Sequence, residues 1–147
     1  LEKYLKQGKK SKQVKLIVEI KPAKTPELED EMVIKTLKMI RDKSLENQCE
    51  FISFSLHLCK EIKRQNPKAI VQYLAGDLSP SDIKNAGIDG LDYHYSVFLD
   101  KHPGWISEAK KLGLITNVWT VNDEVIFKKL ADLGVGFVTT NVPDVLK

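Results

Sequence analysis

An α/β fold of the (β/α)₈ TIM-barrel type, present here as six βα units of an incomplete barrel, follows from three features of the sequence. Short β-rich runs alternate with longer amphipathic runs, about one unit per ~25 residues, which is the signature of parallel strands joined by helices. Runs such as Leu16-Ile17-Val18 and Gly136-Phe137-Val138-Thr139-Thr140 are nearly continuously apolar, as strands covered on both faces are. Periodicity alone leaves an open doubly wound sheet equally available. That fold places a glycine-rich phosphate turn after its first strand, whereas the turn here reads Glu19-Ile20-Lys21-Pro22-Ala23-Lys24, without glycine. The turn favours the barrel. At 147 residues the chain is well short of the ~250 typical of a closed one, and it reads as a single domain over residues 1–147.

The elements follow in order. Residues 1–6 read as the end of a helix with Gly8 as its stop. Residues 14–20 form the first strand, closed by Pro22. Pro26 opens a helix whose first turn is acidic, whose last turn is basic, and whose apolar face carries Val33, Leu37 and Ile40. Residues 50–54 are the second strand, and Ser55 caps a helix running to about residue 65. A strand at 69–74 precedes a short helix opened by Ser79-Pro80 and stopped near Gly87. A strand at 90–93 precedes an amphipathic stretch at 105–112, stopped at Gly113. The fifth strand spans 114–119, after which Asn122 is expected to cap a helix over 123–133, stopped by Gly134. Residues 135–139 are the last strand, and Pro143-Asp144 begins a terminal helical turn.

Composition bounds the function classes. The net charge of +3 arises largely near the start, where six lysines and one acid lie between Glu2 and Lys15. Such a run reads either as an anion or nucleic-acid patch or as a solvated helix end and loop. No aromatic residues interleave with the later lysines as a nucleic-acid platform requires, so no nucleic-acid partner is expected. Cys49 and Cys59 stand ten apart on separate elements, without a CxxC or a histidine at metal-ligand spacing. Neither a zinc site nor a disulfide is implied. No apolar run approaches the ~18 residues of a transmembrane segment. The chain begins at Leu1, in mid-pattern and without Met, from which an upstream piece is expected.

Glu19 and Lys21 are the first candidates for chemistry. They flank Ile20 at the carboxyl end of an apolar strand and share one face by period-two alternation, at the end where barrel active sites sit. A carboxylate there suits a hard cation, and a neighbouring ammonium suits a phosphate. The competing reading is a buried Glu–Lys pair that holds the barrel mouth together. Trp119, in Trp119-Thr120-Val121-Asn122, can wall a pocket or simply fill core. The turn Thr139-Thr140-Asn141-Val142-Pro143-Asp144 can bind an anion or cap a helix. His57 falls inside an amphipathic helix and His102 in a loop, while His94 follows Asp92-Tyr93 at a strand end that could face the mouth.

Four motifs, in this order and spacing, carry a family resemblance: Leu16-Ile17-Val18-Glu19-Ile20-Lys21, Ile52-Ser53-Phe54-Ser55, Val118-Trp119-Thr120-Val121-Asn122, and the run from Gly134 to Asp144. Each alone is weak, but the ordered set resembles the C-terminal part of the glycerophosphodiester phosphodiesterase family over almost the whole chain. The resemblance implies a barrel that hydrolyses glycerophosphodiesters to glycerol 3-phosphate and an alcohol with a divalent metal, Mg or Ca. It implies that Glu19 is a metal ligand, that Lys21 lies close to the phosphate, and that Trp119 and Phe54 line the substrate pocket. The family's first strand carries a His-Arg-Gly motif and its second an acidic pair and another histidine. Nothing here matches them, so no catalytic residue is assigned and the chain alone is expected to be inactive. Gly136 also stands where the family usually has Asp. Two rivals remain: a non-catalytic truncated barrel serving as a binding or assembly module through its open edges, and a different phosphate-handling barrel enzyme.

Overall fold

The computed structural model describes residues 1–146. Six strands are present: β1 (Leu16–Glu19), β2 (Cys49–Ser53), β3 (Val71–Tyr73), β4 (Gly90–His94), β5 (Ile115–Trp119) and β6 (Phe137–Val138). Their order is β1-β2-β3-β4-β5-β6, and β1/β2, β3/β4, β4/β5 and β5/β6 pair in parallel. A doubly wound sheet reverses its strand order midway. Sequential parallel order is that of consecutive βα units of a (β/α)₈ barrel. The α/β fold class read from the sequence therefore stands.

The chain divides into two compact units, Leu1–Val71 and the residues from Gln72 onward. The first holds α1 (Glu2–Gly8), β1, α2 (Pro26–Asp42), β2 and α3 (Leu56–Gln65). Leu16, Val18 and Ile20 alternate into its core beside Leu5, Val33, Leu37, Ile40, Phe51, Leu58 and Ile62, all at most 5% exposed. Burial of each such side chain contributes roughly 1.5–3 kcal/mol. The intervening Ile17 and Glu19 point to the opposite, solvent-reaching face. Thr25 caps α2 with Pro26 in its first turn, and Ser55 caps α3 by accepting from the Leu58 N–H. His57 on α3 reaches back to Asp30 on α2 at 2.7 Å. It is a surface tie between helices.

The second unit holds most of β3 together with β4, β5, β6, α4 (Pro80–Asn85), α5 (Trp105–Lys111) and α6 (Glu124–Asp132). A π-helical turn, Val97–Lys101, precedes α5. Tyr93, fully buried, organises this core: its ring stacks on Phe98 at 5.7 Å and meets Tyr73 and Trp105 at 6.3 Å. Its hydroxyl donates to the Leu78 carbonyl at 3.0 Å, so burying the phenol leaves no unmet donor.

Three details depart from the expected elements. Gly8 is not left-handed; a Cβ there would fall 2.4 Å from the Leu16 side chain, which would have to shift to admit it. Asp123, not Asn122, caps α6, its carboxylate accepting from the N–H groups of Val125 and Ile126. Asn122 is engaged elsewhere, its Oδ1 accepting from the Asn141 N–H and the Thr140 hydroxyl. The last strand spans only two residues, and residues 143–145 form a turn rather than a helix.

Candidate active site

In the first unit the carboxyl ends of β1 and β2 lie side by side, with Glu19 opposite Ile52 in the register. The Lys21 ammonium stands 3.0 Å from a Glu19 carboxylate oxygen. The two side chains are 77% and 31% exposed, so this is not the buried pair of the alternative reading. An ion pair so open to solvent is worth about 0–1 kcal/mol. Either partner can therefore turn to a ligand at little cost.

The surrounding loops are held more firmly. The buried Ser53 hydroxyl donates to the Ile20 carbonyl at 2.7 Å, joining the residue between Glu19 and Lys21 to the end of β2. Glu29, buried in the first turn of α2, accepts from the Ala23 N–H at 3.1 Å and from the Ser55 hydroxyl at 2.8 Å. One carboxylate thus fixes the loop that carries Lys21 to the residue that caps α3. Phe54 lies between Ser53 and Ser55, 41% exposed. Glu29 read in sequence as a helix-dipole acid, and its acidic place in a first turn gave no sign of the tie.

In the second unit β4 and β5 pair so that Asp92 faces Asn117 and His94 faces Trp119. The Trp119 indole N–H donates to the Asp92 carbonyl at 2.8 Å. Its ring meets His94 edge-on, with centroids 5.3 Å apart. The Ser96 N–H points at His94 Nδ1 (3.3 Å) and the Ser96 hydroxyl lies 2.8 Å from the same nitrogen. A main-chain N–H can only donate, so neutral His94 carries its proton on Nε2. On the same strand face Asp92 and Asn117 are buried, as is Gln72 on β3. This polar row and His94 were not among the assigned site residues. The alternation in Gly90-Leu91-Asp92-Tyr93-His94 put Asp92 and His94 on one face, but Ile115-Thr116-Asn117-Val118-Trp119 does not alternate and gave no such signal for Asn117.

The cysteines do not add a nucleophile. Both are buried and free. Burial pushes the Cys49 thiol up to about 11 and the Cys59 thiol up to about 12. Among the described residues no three His, Cys, Asp or Glu side chains gather around a common point. Hard cations take six or more oxygen ligands, so these residues do not by themselves fit a metal centre. Among them, too, no helix is long and apolar enough to cross a membrane.

The family model of the glycerophosphoryl diester phosphodiesterase family matches residues 1–145. No curated protein matches the chain. Among solved structures, a glycerophosphodiester phosphodiesterase from Parabacteroides distasonis is similar with a TM-score of 0.95 and 42% identity, over 98% of this chain and 60% of that one. A family candidate from Silicibacter pomeroyi matches with a TM-score of 0.85 and 26% identity, over 95% of this chain and 52% of that one. An Oleispira antarctica phosphodiesterase, solved with the product sn-glycerol-3-phosphate, shares the fold with a TM-score of 0.75 and 23% identity, over 90% of this chain and 53% of that one. This chain therefore spans little more than half the length of such proteins. With a family match over nearly all of its length, the chain belongs to the glycerophosphoryl diester phosphodiesterase family.

Proposed function

We propose that this chain supplies part of the phosphate-handling end of an enzyme that hydrolyses glycerophosphodiesters to glycerol 3-phosphate and an alcohol. The observation that carries the reading is the solvent-reaching Glu19–Lys21 pair at the carboxyl end of β1, in a chain of this family. Lys21 is the anion binder: its ammonium is already at the mouth and gives up only a weak exposed ion pair to meet a phosphate oxygen. Glu29 and Ser53 keep its loop from drifting. Trp119, tethered by its indole N–H, presents a fixed ring edge to His94 and an apolar wall for the glycerol or alcohol portion. Phe54 extends the apolar lining in the first unit.

A divalent cation, Mg or Ca, would neutralise charge on the phosphate in such a reaction, with Glu19 giving one oxygen to a shell whose other ligands these residues do not provide. The general acid and base are likewise not assigned to any residue of this chain. The 147-residue chain on its own is therefore expected to leave glycerophosphocholine intact with or without Mg²⁺ or Ca²⁺. Metal-dependent turnover by this chain alone would contradict the assignment and make His94 the first residue to replace.

A second reading has one observation in its favour. Among the described residues β1 pairs with β2 alone, and Ile17 on β1 and Val14 just before it are 37% and 50% exposed. Open edges of this kind pair with other chains. The assembly reading predicts a sedimentation mass that rises with concentration, whereas the phosphodiesterase reading requires no such association.

A further inference from the structure

The six lysines between Glu2 and Lys15 have no part in the site above, and the fold places three of them in a built cleft. At the amino ends of β1 and β2, opposite the ends that carry Glu19 and Phe54, lies a cleft of about 410 Å³ lined by Lys9, Lys12, Lys15, Ser44, Asn47 and Gln48, among others. Its two walls are the loop before β1 and the loop before β2, and they are stitched together. Gln48 Nε2 lies 2.6–3.0 Å from the carbonyls of Gly8, Ser11 and Val14. Lys9 donates to the Lys43 carbonyl and Lys15 to the Asn47 carbonyl, each at 3.0 Å. These bonds use one proton of each ammonium, and an ammonium has three. Lys15 also lies 3.6 Å from Glu50, while Lys12 has no ion-pair partner among the described residues.

The floor of the cleft carries a backbone outlier. Helices α2, α4, α5 and α6 all end alike, with a left-handed residue whose successor donates back to the carbonyl five residues before it: Leu45 to Ile40, Ile88 to Ile83, Leu114 to Ala109 and Val135 to Leu130. In the last three the left-handed residue is glycine, Gly87, Gly113 or Gly134, with φ between +69° and +79°. At α2 it is Ser44, with φ +56°. A side chain there is strained where glycine is not. Ser44 lines the cleft, and among the described residues its hydroxyl has no hydrogen-bond partner. Backbone strain of this kind concentrates at ligand clamps.

We propose that this cleft is an anion site for a phosphate group, bound by the ammonium groups of Lys9, Lys12 and Lys15 and by the Ser44 hydroxyl. Several donors lining one cleft suit the three or four oxygens of a phosphate better than the two of a carboxylate. Its volume, within the ~300–1,000 Å³ of small-molecule pockets, exceeds what inorganic phosphate needs and leaves room for the body of a phosphate ester. That ester is either a soluble phosphomonoester or the phosphomonoester headgroup of a lipid.

The 147-residue chain is titrated with inorganic phosphate, against chloride at matched ionic strength, while backbone amide signals are followed by NMR. In a second arm it is sedimented with phosphatidylcholine vesicles containing or lacking phosphatidic acid. The proposal predicts saturable shifts centred on Lys12, Ser44 and Asn47. Ser44→Gly should weaken them about tenfold, the loss expected for one hydrogen bond to a charged group, while raising the thermal midpoint of the ligand-free protein because strain is relieved. Lys12→Ala should weaken binding without raising that midpoint. Binding only to phosphatidic acid vesicles, with the same dependence on Ser44, identifies the lipid headgroup as the source. Shifts that chloride reproduces, binding indifferent to Ser44→Gly, or no binding in either arm would overturn the proposal.

Discussion

The ammonium of Lys21 lies 3.0 Å from the carboxylate of Glu19, two residues away on the same face of the chain, and both remain open to solvent. An exposed pair of this kind contributes little to stability. This one is presented outward from a loop that Glu29 holds in place. Lys21→Ala is accordingly expected to cost less than about 1 kcal/mol in urea denaturation. A loss of several kcal/mol would show that the pair holds the fold together and is not available to a ligand.

The thiols of Cys49 and Cys59 test the packing of the first unit. Burial raises them to about 11 and about 12, so neither forms appreciable thiolate near pH 8. A chromogenic disulfide reagent at pH 8 is expected to label neither thiol in the folded chain and both after unfolding in guanidinium. Rapid labelling of either in the folded chain would mean that β2 or α3 opens readily.

Acid stability turns on Glu61. The Arg64 guanidinium donates twice to its carboxylate at 2.6 Å, and Gln65 adds a third bond at 2.6 Å. Chiefly through Arg64, these hold its pKa down at about 2, below its ordinary 4.5. A carboxylate with a depressed folded-state pKa favours folding above its unfolded value, and that contribution is lost as pH falls through the folded one. Thermal midpoints should therefore drop between about pH 5 and pH 2, and Glu61→Gln should flatten that drop. An unchanged pH profile in the variant would remove Glu61 from the account.

At the start of α6 two adjacent residues, Asn122 and Asp123, can both cap. Asp123→Ala is expected to cost about 1 kcal/mol, the usual loss of an N-cap. Asn122→Ala should instead loosen residues 140–142, seen as faster amide exchange at Asn141. The opposite pattern would return the cap to Asn122.

That pair also illustrates how far the sequence could be read. Strand alternation and caps are local matters of side-chain period and backbone donors. Ser55, Ser79, Gly87, Gly113 and Gly134 accordingly mark helix boundaries as their chemistry implies. Asn122 and Asp123 are equally good caps in isolation. A distant N–H, that of Asn141, engages one of them and leaves the other for the helix. The polar row of Gln72, Asp92 and Asn117 required knowing which strand face turns inward, and the indole tether required the register of β4 on β5. Nothing in the sequence singled out Ser44, whose φ places it where three other helices use glycine. Glu19 and Lys21 stood out in the sequence because period-two alternation puts both on one face at the end of an apolar strand, and the structure does place them side by side there.

The central claim is that Glu19 and Lys21 serve phosphodiester hydrolysis. Its most direct test joins this chain to the portion of the Parabacteroides distasonis chain that it does not cover, and measures glycerophosphocholine hydrolysis with Mg²⁺ or Ca²⁺. Circular dichroism and a cooperative melt would establish that each chimera is folded. The chimera is expected to release glycerol 3-phosphate, and Glu19→Gln to lower that rate roughly a hundredfold, the scale of removing one group that stabilises transition-state charge. Raising the metal concentration should partly restore that variant, as expected for the loss of one metal ligand. Lys21→Ala should also lose activity, but added metal should not restore it. A folded chimera that is inactive, or one whose activity survives Glu19→Gln intact, would contradict the account.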